Sequence, residues 1–401
     1  MKIAFISYEF PPDTGFGGIG TYTAQMAAIL SCKGFYVEVF SAQRTMEKSC
    51  ELTVHGFLLH RIQAQNRREF SNAVTVIFDE RNSLVSFDLI ESPEYGAEGL
   101  HVKEAFPFIP MLIKLHTPNW LVKKYNYSYS KGSLNKKIKD GLGISGYKRE
   151  SDAEYKFTKQ ADIVCSPSAA LANIITKKWG IKKIDIVPNI FLPANEMLNI
   201  LQGKRQRKII SFFGRLEVRK GIYSLVKAIP AVIQQHPDVL FRFVGNSGYA
   251  ADGKTPMSDF ILLELKDFYK NIELTGFIRQ EDIYRYYAET DIVIIPSLWE
   301  NFPYVCLEAM SAAKPLIVSE NGGIGEMVKD INGAVIIDPL KPRQISDAIL
   351  YLLSNPGEAI AMGERNRKKV KEYYSGKLVD DVAVYYSNII RNRVAITGEK
   401  K

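Results

Sequence analysis

Short apolar runs rich in β-branched and aromatic residues alternate along this chain with longer amphipathic stretches, a pattern that predicts repeated β-α units on parallel sheets. The pattern occurs twice. In the first half the runs predict strands near 3–7, 36–41, 89–91, 111–116, 163–166 and 184–188. In the second half they fall near 208–214, 240–245, 272–275, 292–296, 316–319 and 335–337. Between the halves, Phe191 to Arg207 is polar, holds Pro193 and Gly203, and runs into Lys204-Arg-Gln-Arg-Lys208, a composition that suits a surface connection. The expected fold class is therefore α/β, with one domain over 1–193 and a second over 204–376. A last helical segment, 377–393, carries Leu378, Val382, Tyr385 and Ile389 at helical spacing and is free to dock on either domain, completing the first as one option.

Composition narrows the class. The chain has 401 residues, 46% hydrophobic and 24% charged, which suits two folded domains. It has no run of the ~18 apolar residues that a membrane span requires. The opening Met1-Lys2-Ile3-Ala4-Phe5-Ile6-Ser7 reads as a buried strand and not as a secretory signal, so a cytoplasmic location is expected. Cys32, Cys50, Cys165 and Cys306 form no CxxC pair and the five histidines are dispersed, which predicts reduced thiols and neither a zinc knuckle nor a disulfide framework. A net charge of +8 favours partners that carry phosphate.

Three loops carry candidate chemistry, each directly after a predicted strand, where open α/β sheets bind ligands. The first is Glu300-Asn-Phe-Pro-Tyr-Val-Cys-Leu-Glu308. Helix-favouring residues from Cys306 onward place a helix start near Pro303 to Val305, so its first-turn N–H groups would face an anion while Glu300 stays in the loop and Glu308 lies one turn inside. Carboxylates near a helix start are also stabilised by the dipole without any function. The second loop, Gly214-Arg215-Leu-Glu-Val-Arg219-Lys220-Gly221, sets two cations at a strand-to-helix turn, where they can neutralise a departing diphosphate. The chain has no Asp-x-Asp motif, so fixed cations in place of a metal, and no cofactor, are expected. The third is the glycine-rich Pro11-Pro-Asp-Thr-Gly-Phe-Gly17-Gly18-Ile-Gly20, whose backbone can approach a phosphate or sugar closely.

The ordered set resembles family 4 of the retaining glycosyltransferases over nearly the whole chain. Included are Ala309-Met310 after the glutamate pair and Lys114-Leu-His116-Thr-Pro at the end of a first-domain strand. The resemblance implies the GT-B fold: two facing Rossmann-like domains with an interdomain cleft. It implies that Arg215, Lys220, Glu300 and His116 carry the chemistry. Donor contacts would come from Gly17, Gly18, Gly214, Glu308, Phe302, Pro303, Tyr304 and Val305, with Phe277 and Ile278 in the nucleobase loop. Pro303, often glycine in the family, removes one N–H donor. Glu91 and Glu94 are acceptor-side candidates. The implied reaction moves a hexose from a UDP-sugar, foremost UDP-glucose, or from GDP-mannose as the alternative, to a saccharide or lipid-linked acceptor in glycan biosynthesis. It keeps the anomeric configuration by front-side attack, with no nucleic-acid partner.

Two readings of other classes compete. Gly248-Tyr-Ala-Ala-Asp-Gly253-Lys254-Thr255 matches the P-loop pattern of a nucleotide hydrolase, but Pro256 disfavours the helical turn that its threonine would need. A non-catalytic sugar or lipid binder would have no need of all four of Arg215, Lys220, Glu300 and Glu308. The stretch from Lys123 and Lys124 through Lys131, Lys136, Lys137 and Lys139, interleaved with tyrosines, is a candidate for peripheral contact with an anionic membrane surface from the first domain.

Overall fold

A computed structural model of the chain describes residues 1–15, 17–45, 49–127, 147–200 and 207–397. They form two compact units: Met1–Asn119, Lys148–Leu192 and Tyr373–Lys401 in the first, Trp120–Tyr147 and Pro193–Glu372 in the second.

The first sheet has eight strands: β1 (Lys2–Ser7), β2 (Tyr36–Gln43), β3 (Ser49–Leu52), β4 (Leu58–Gln63), β5 (Leu89–Pro93), β6 (Met111–Lys114), β7 (Ile163–Ser166) and β8 (Asp185–Ile186). Their spatial order is β3-β4-β2-β1-β5-β6-β7-β8, parallel except for the β3–β4 pair. The second sheet is wholly parallel, with β9 (Ile209–Phe213), β10 (Leu240–Val244), β11 (Ile272–Gly276), β12 (Ile292–Ile295), β13 (Leu316–Ser319) and β14 (Ala334–Ile337) in the order β11-β10-β9-β12-β13-β14. Each order reverses direction beside the first strand of its unit, between β1 and β5 and between β9 and β12. At such switch points the loops that leave the strand C-termini diverge and open a crevice.

Near-continuous Val, Ile and Phe runs make these strands because both faces are covered by helices. In the second unit Phe241, Phe243 and Ile294 meet Leu225, Ile229, Ile345 and Ile349 from helices Ile222–Gln235 and Pro342–Ser354. In the first unit Phe5, Phe40, Phe70 and Phe78 are fully buried.

The architecture of two parallel-sheet α/β units agrees with the sequence reading, with differences in detail. Strands β3 and β4 were not expected, because Leu58–Gln63 carries His60, Arg61 and Gln63. Their polarity is satisfied inside the fold. Glu38 on β2 sits 2.6 Å from His60 Nε2 and accepts from Arg81 and Tyr36, each at 2.7 Å. Helix Gly376–Thr397 belongs to the first unit and buries Val382, Tyr386 and Ile390, so its seam is rotated by one residue from the expected Tyr385 and Ile389. Residues 120–127, expected in the first domain, lie with the second unit: the Tyr125 ring stacks on Trp299 at 5.8 Å and Asn126 Oδ1 accepts the Arg219 N–H at 3.0 Å.

Candidate functional site

In the second unit the loops after β9 and β12 meet. Gly221, with φ +76°, caps helix Ile222–Gln235, and any Cβ there would stand 1.8 Å from the Pro296 carbonyl oxygen. The Arg219 carbonyl accepts from Leu298 N–H at 2.8 Å, which fastens the two loops together. Glu300 is clamped from its other side by Gly322, whose φ of +93° leaves a Cβ no room, 2.0 Å from the Glu300 carbonyl oxygen. Gly323 donates to that carbonyl at 2.8 Å.

This scaffold buries a carboxylate and aims cations at it. Lys220 Nζ donates to Glu300 Oε1 at 2.5 Å, Ser297 Oγ donates to the same oxygen at 2.8 Å, and Arg219 Nη1 lies 3.9 Å from Oε2. Burial pushes the Glu300 carboxyl up, but the charges of Lys220 and Arg219 and the two hydrogen bonds outweigh it, and the group ends below its ordinary range. Arg219, read from sequence as part of the basic turn only, is tied down by Glu217 at 2.7 Å and by the Trp299 carbonyl at 3.3 Å. Arg215 differs: it is exposed and pairs with no carboxylate among the described residues. Its side chain passes Gly248, and Gly214 at φ +128° lets the strand end pack against Gly245.

The expected helix starts where the sequence placed it, as Tyr304–Ser311 with Pro303 at its N-cap, so Tyr304 and Val305 open the first turn and Phe302 precedes it. Glu308 has its own set of partners. Tyr287 donates to Glu308 Oε2 at 2.9 Å, Gln280 donates to Oε1 at 3.1 Å, and burial raises the carboxyl. Tyr287 is itself stacked on Phe213 of β9 at 3.9 Å. Gln280 belongs to the loop that carries exposed Phe277 and half-buried Ile278 after Gly276, so the Glu308 carboxylate and the expected base-binding loop share one corner. Neither Tyr287 nor Gln280 carried a sequence signal, since both partnerships are long-range.

The first unit gathers its candidates at the β1–β5 switch point. Gly17 caps helix Gly18–Cys32, with Gly18 in the first turn and open space around the position of a Cβ. His116 follows β6. Its N–H donates to both oxygens of Glu94, at 3.0 and 2.8 Å, and its ring meets Tyr22 edge-on at 5.2 Å. Burial foremost, then the charges of Lys114 and Arg67, hold the imidazole down to about 3, so it is neutral near pH 7. Glu94 is buried and raised to about 8 by burial and by the Glu154 charge, while Glu154 accepts the Gly96 and Asn119 N–H groups and is raised to about 7, first by burial. Glu91 is enclosed, accepting from Tyr22 at 2.7 Å and from Tyr386. Glu91 and Glu94, the acceptor-side candidates, are both buried and hold the protein's own groups.

The P-loop look-alike is not a phosphate cradle. Asp252 of the same loop takes the N–H groups of Lys254 and Thr255, each at 2.9 Å, and the Thr255 hydroxyl at 2.6 Å, filling with a carboxylate the place an anion would occupy. Those bonds lower Asp252 to about 2. The helix begins only at Met257. Of the lysine-rich segment, Lys123 and Lys124 are described, while Lys131, Lys136, Lys137 and Lys139 lie outside the described residues. A cavity of about 340 Å³ is lined by Tyr155, Lys159, Trp179, Lys183 and Asp185, at the N-terminal ends of β7 and β8 and so at the opposite edge from His116. Among the described residues no helix is long and apolar enough to cross a membrane, and no group of three or more His, Cys, Asp or Glu side chains is placed to hold a metal ion.

Comparison with known proteins bears on both units. Residues 195–369 match the model of glycosyl transferases group 1, and residues 16–191 that of glycosyltransferase family 4. A D-inositol 3-phosphate glycosyltransferase of Corynebacterium urealyticum is 29% identical, over 91% of this chain and 90% of that protein. Among solved structures, sucrose-phosphate synthase from Thermosynechococcus elongatus superposes with a TM-score of 0.76 at 20% identity, covering 98% of this chain and 99% of that one. Anabaena HepE in complex with UDP-glucose gives a TM-score of 0.64 at 16% identity, over 97% of this chain and 99% of that one.

Proposed function

Because the chain belongs to the GT-B glycosyltransferases of the family 4 type, we propose that it transfers a hexose from UDP-glucose, with retention and without a metal, to a saccharide or lipid-linked acceptor in glycan biosynthesis. The observation that carries this reading is the Lys220–Glu300 pair at the β9–β12 switch point, which joins the loop that also carries exposed Arg215 to the loop that leads into helix Tyr304–Ser311. Breaking the bond between a sugar and a diphosphate puts negative charge on the leaving phosphate. Arg215 and the remaining N–H bonds of Lys220 then stabilise that charge from positions fixed before the reaction. Glu300, kept ionised by Lys220, accepts from sugar hydroxyls, and Glu308 with Gln280 accepts from the ribose. Neutral His116 is able to donate to or accept from a sugar hydroxyl without adding charge. UDP-glucose as the donor is favoured by the likeness to HepE, a protein solved with that molecule.

The test is a panel of nucleotide sugars, UDP-glucose and GDP-mannose included, scored for nucleotide diphosphate release with and without EDTA, followed by NMR of the product's anomeric centre. Release from UDP-glucose that EDTA leaves unchanged, with retained configuration, is the expected result. Preference for GDP-mannose would replace the donor assignment, EDTA-sensitive release would overturn metal independence, and an inverted product would remove the mechanism.

A further inference from the structure

At the C-terminal edge of the first unit's sheet lies a cluster that the donor chemistry leaves unused. Glu9 follows β1, Tyr95 follows β5, and Arg67 opens helix Arg67–Val85. The Arg67 guanidinium lies over the Tyr8 ring at 5.0 Å and the Tyr95 ring at 4.7 Å. It donates to Glu9 Oε1 and pairs with Glu98, whose other oxygen accepts the Tyr8 N–H at 2.6 Å. One cation thus faces two carboxylates.

Glu9 is the open member. Its Oε2 accepts no hydrogen bond among the described residues, and its side chain is 18% exposed. That oxygen sits 3.0 Å from where a Cβ of Gly17 would be, so Glu9 lies directly beneath the glycine loop. Arg67 is 24% exposed and its charge acts on His116, which puts the cluster on the same edge as that residue.

Resting on the reading above that a sugar is transferred to an acceptor, we infer that Glu9, Arg67 and Tyr95 bind the acceptor and select a neutral polyhydroxylated group over a phosphorylated one. An unfilled carboxylate oxygen accepts from hydroxyls, and the guanidinium edge donates to their oxygens. The Tyr95 ring offers an apolar face to the C–H side of a sugar ring. A phosphate entering here would meet Glu9, while the Arg67 charge is already met by two carboxylates. The next arginine along the edge, Arg61, is likewise committed to Asp13 and Glu51.

The experiment measures kcat/KM for matched acceptors, such as methyl glucoside against glucose 6-phosphate and inositol against inositol phosphate, with the donor found by the panel. The wild-type chain is expected to favour the neutral member at least tenfold. Glu9→Gln keeps the side chain's size but removes the excess negative charge, leaving Arg67 balanced by Glu98 alone, and it should lower the neutral-to-phosphorylated ratio tenfold or more. Tyr95→Ala should raise the KM of the neutral acceptor while leaving both carboxylates on Arg67, which loses only its contact with that ring. Because the ratio is internal to each variant, a general loss of folding or donor turnover cancels. A wild-type preference for the phosphorylated member, or a ratio unmoved by Glu9→Gln, overturns the inference. Absence of nucleotide release from every donor overturns the parent reading, and this one with it.

Discussion

Glu300 is an ion held where burial disfavours it, and Lys220 is the main reason it stays ionised. A carboxyl whose folded pKa is depressed contributes stability that is present above its unfolded pKa and lost as pH falls through the folded one. In Lys220→Met, burial would be opposed only by Ser297 and by Arg219 at 3.9 Å. The carboxyl should rise, and the acid limb of donor hydrolysis should move to higher pH while kcat/KM at pH 7 falls about 100-fold. A rate profile from pH 4 to 8 with an unmoved acid limb would contradict this. His116 follows the same sign, and Glu94 the opposite one. The folded His116 value near 3 means the unfolded chain takes up a proton first on acidification, so stability falls below about pH 6.5. Glu94, at about 8 when folded, keeps a proton that the unfolded chain releases, so its contribution is full below the unfolded carboxyl range and shrinks as pH rises towards 8. Glu94→Gln should therefore flatten the decline between pH 5 and 8 in urea unfolding. An equally steep decline in the variant would show that Glu94 is ionised in the fold.

At the scale of elements, the two glycine loops make opposite demands. Gly221→Ala would drive a methyl into the Pro296 carbonyl at a positive φ and pry the β9 and β12 loops apart, so stability should drop by roughly 2–4 kcal/mol and activity vanish. Gly18→Ala has open space and ordinary helical backbone, so the melting temperature should hold while the donor KM rises if a phosphate approaches that backbone. Paired thermal melts and donor kinetics separate a glycine needed by the fold from one needed by a ligand. The same contrast explains what was legible in the sequence. Parallel strands buried on both faces announce themselves as apolar runs, and the turn that follows each one fixes where Lys220, Glu300 and His116 emerge. Strands β3 and β4 stayed hidden because their polar residues find partners far along the chain, Glu38 with His60 and Arg81 among them. Tyr287, Gln280, Asn126 and the Glu9–Arg67 pair escaped for the same reason: each is meaningful only through a contact that spacing does not encode.

Across the whole chain, the first unit is completed by residues almost 300 positions away. Tyr386 on the last helix donates to Glu91 on β5, and Phe191 donates to the Tyr373 carbonyl at 2.9 Å where the chain re-enters this unit. Glu91 is fully enclosed, raised by burial and held back by its tyrosine donors and the Lys114 charge, so removing one donor exposes it to the cost of an unsatisfied buried carboxyl. Tyr386→Phe should accordingly cost about 1–3 kcal/mol. Deleting 376–401 is harsher, because Val382, Tyr386 and Ile390 each bury a side chain worth roughly 1.5–3 kcal/mol. Their sum is comparable to the 5–15 kcal/mol that holds a typical domain together. The second unit's core draws on helices Ile222–Gln235 and Pro342–Ser354 and contains no residue of the last helix. The truncated chain should thus become protease-sensitive across the first unit while a fragment near 207–372 survives and still binds UDP. Mass mapping of the surviving fragment, with calorimetric titration of UDP, decides the matter: uniform digestion of both units would mean that the last helix supports the second as well.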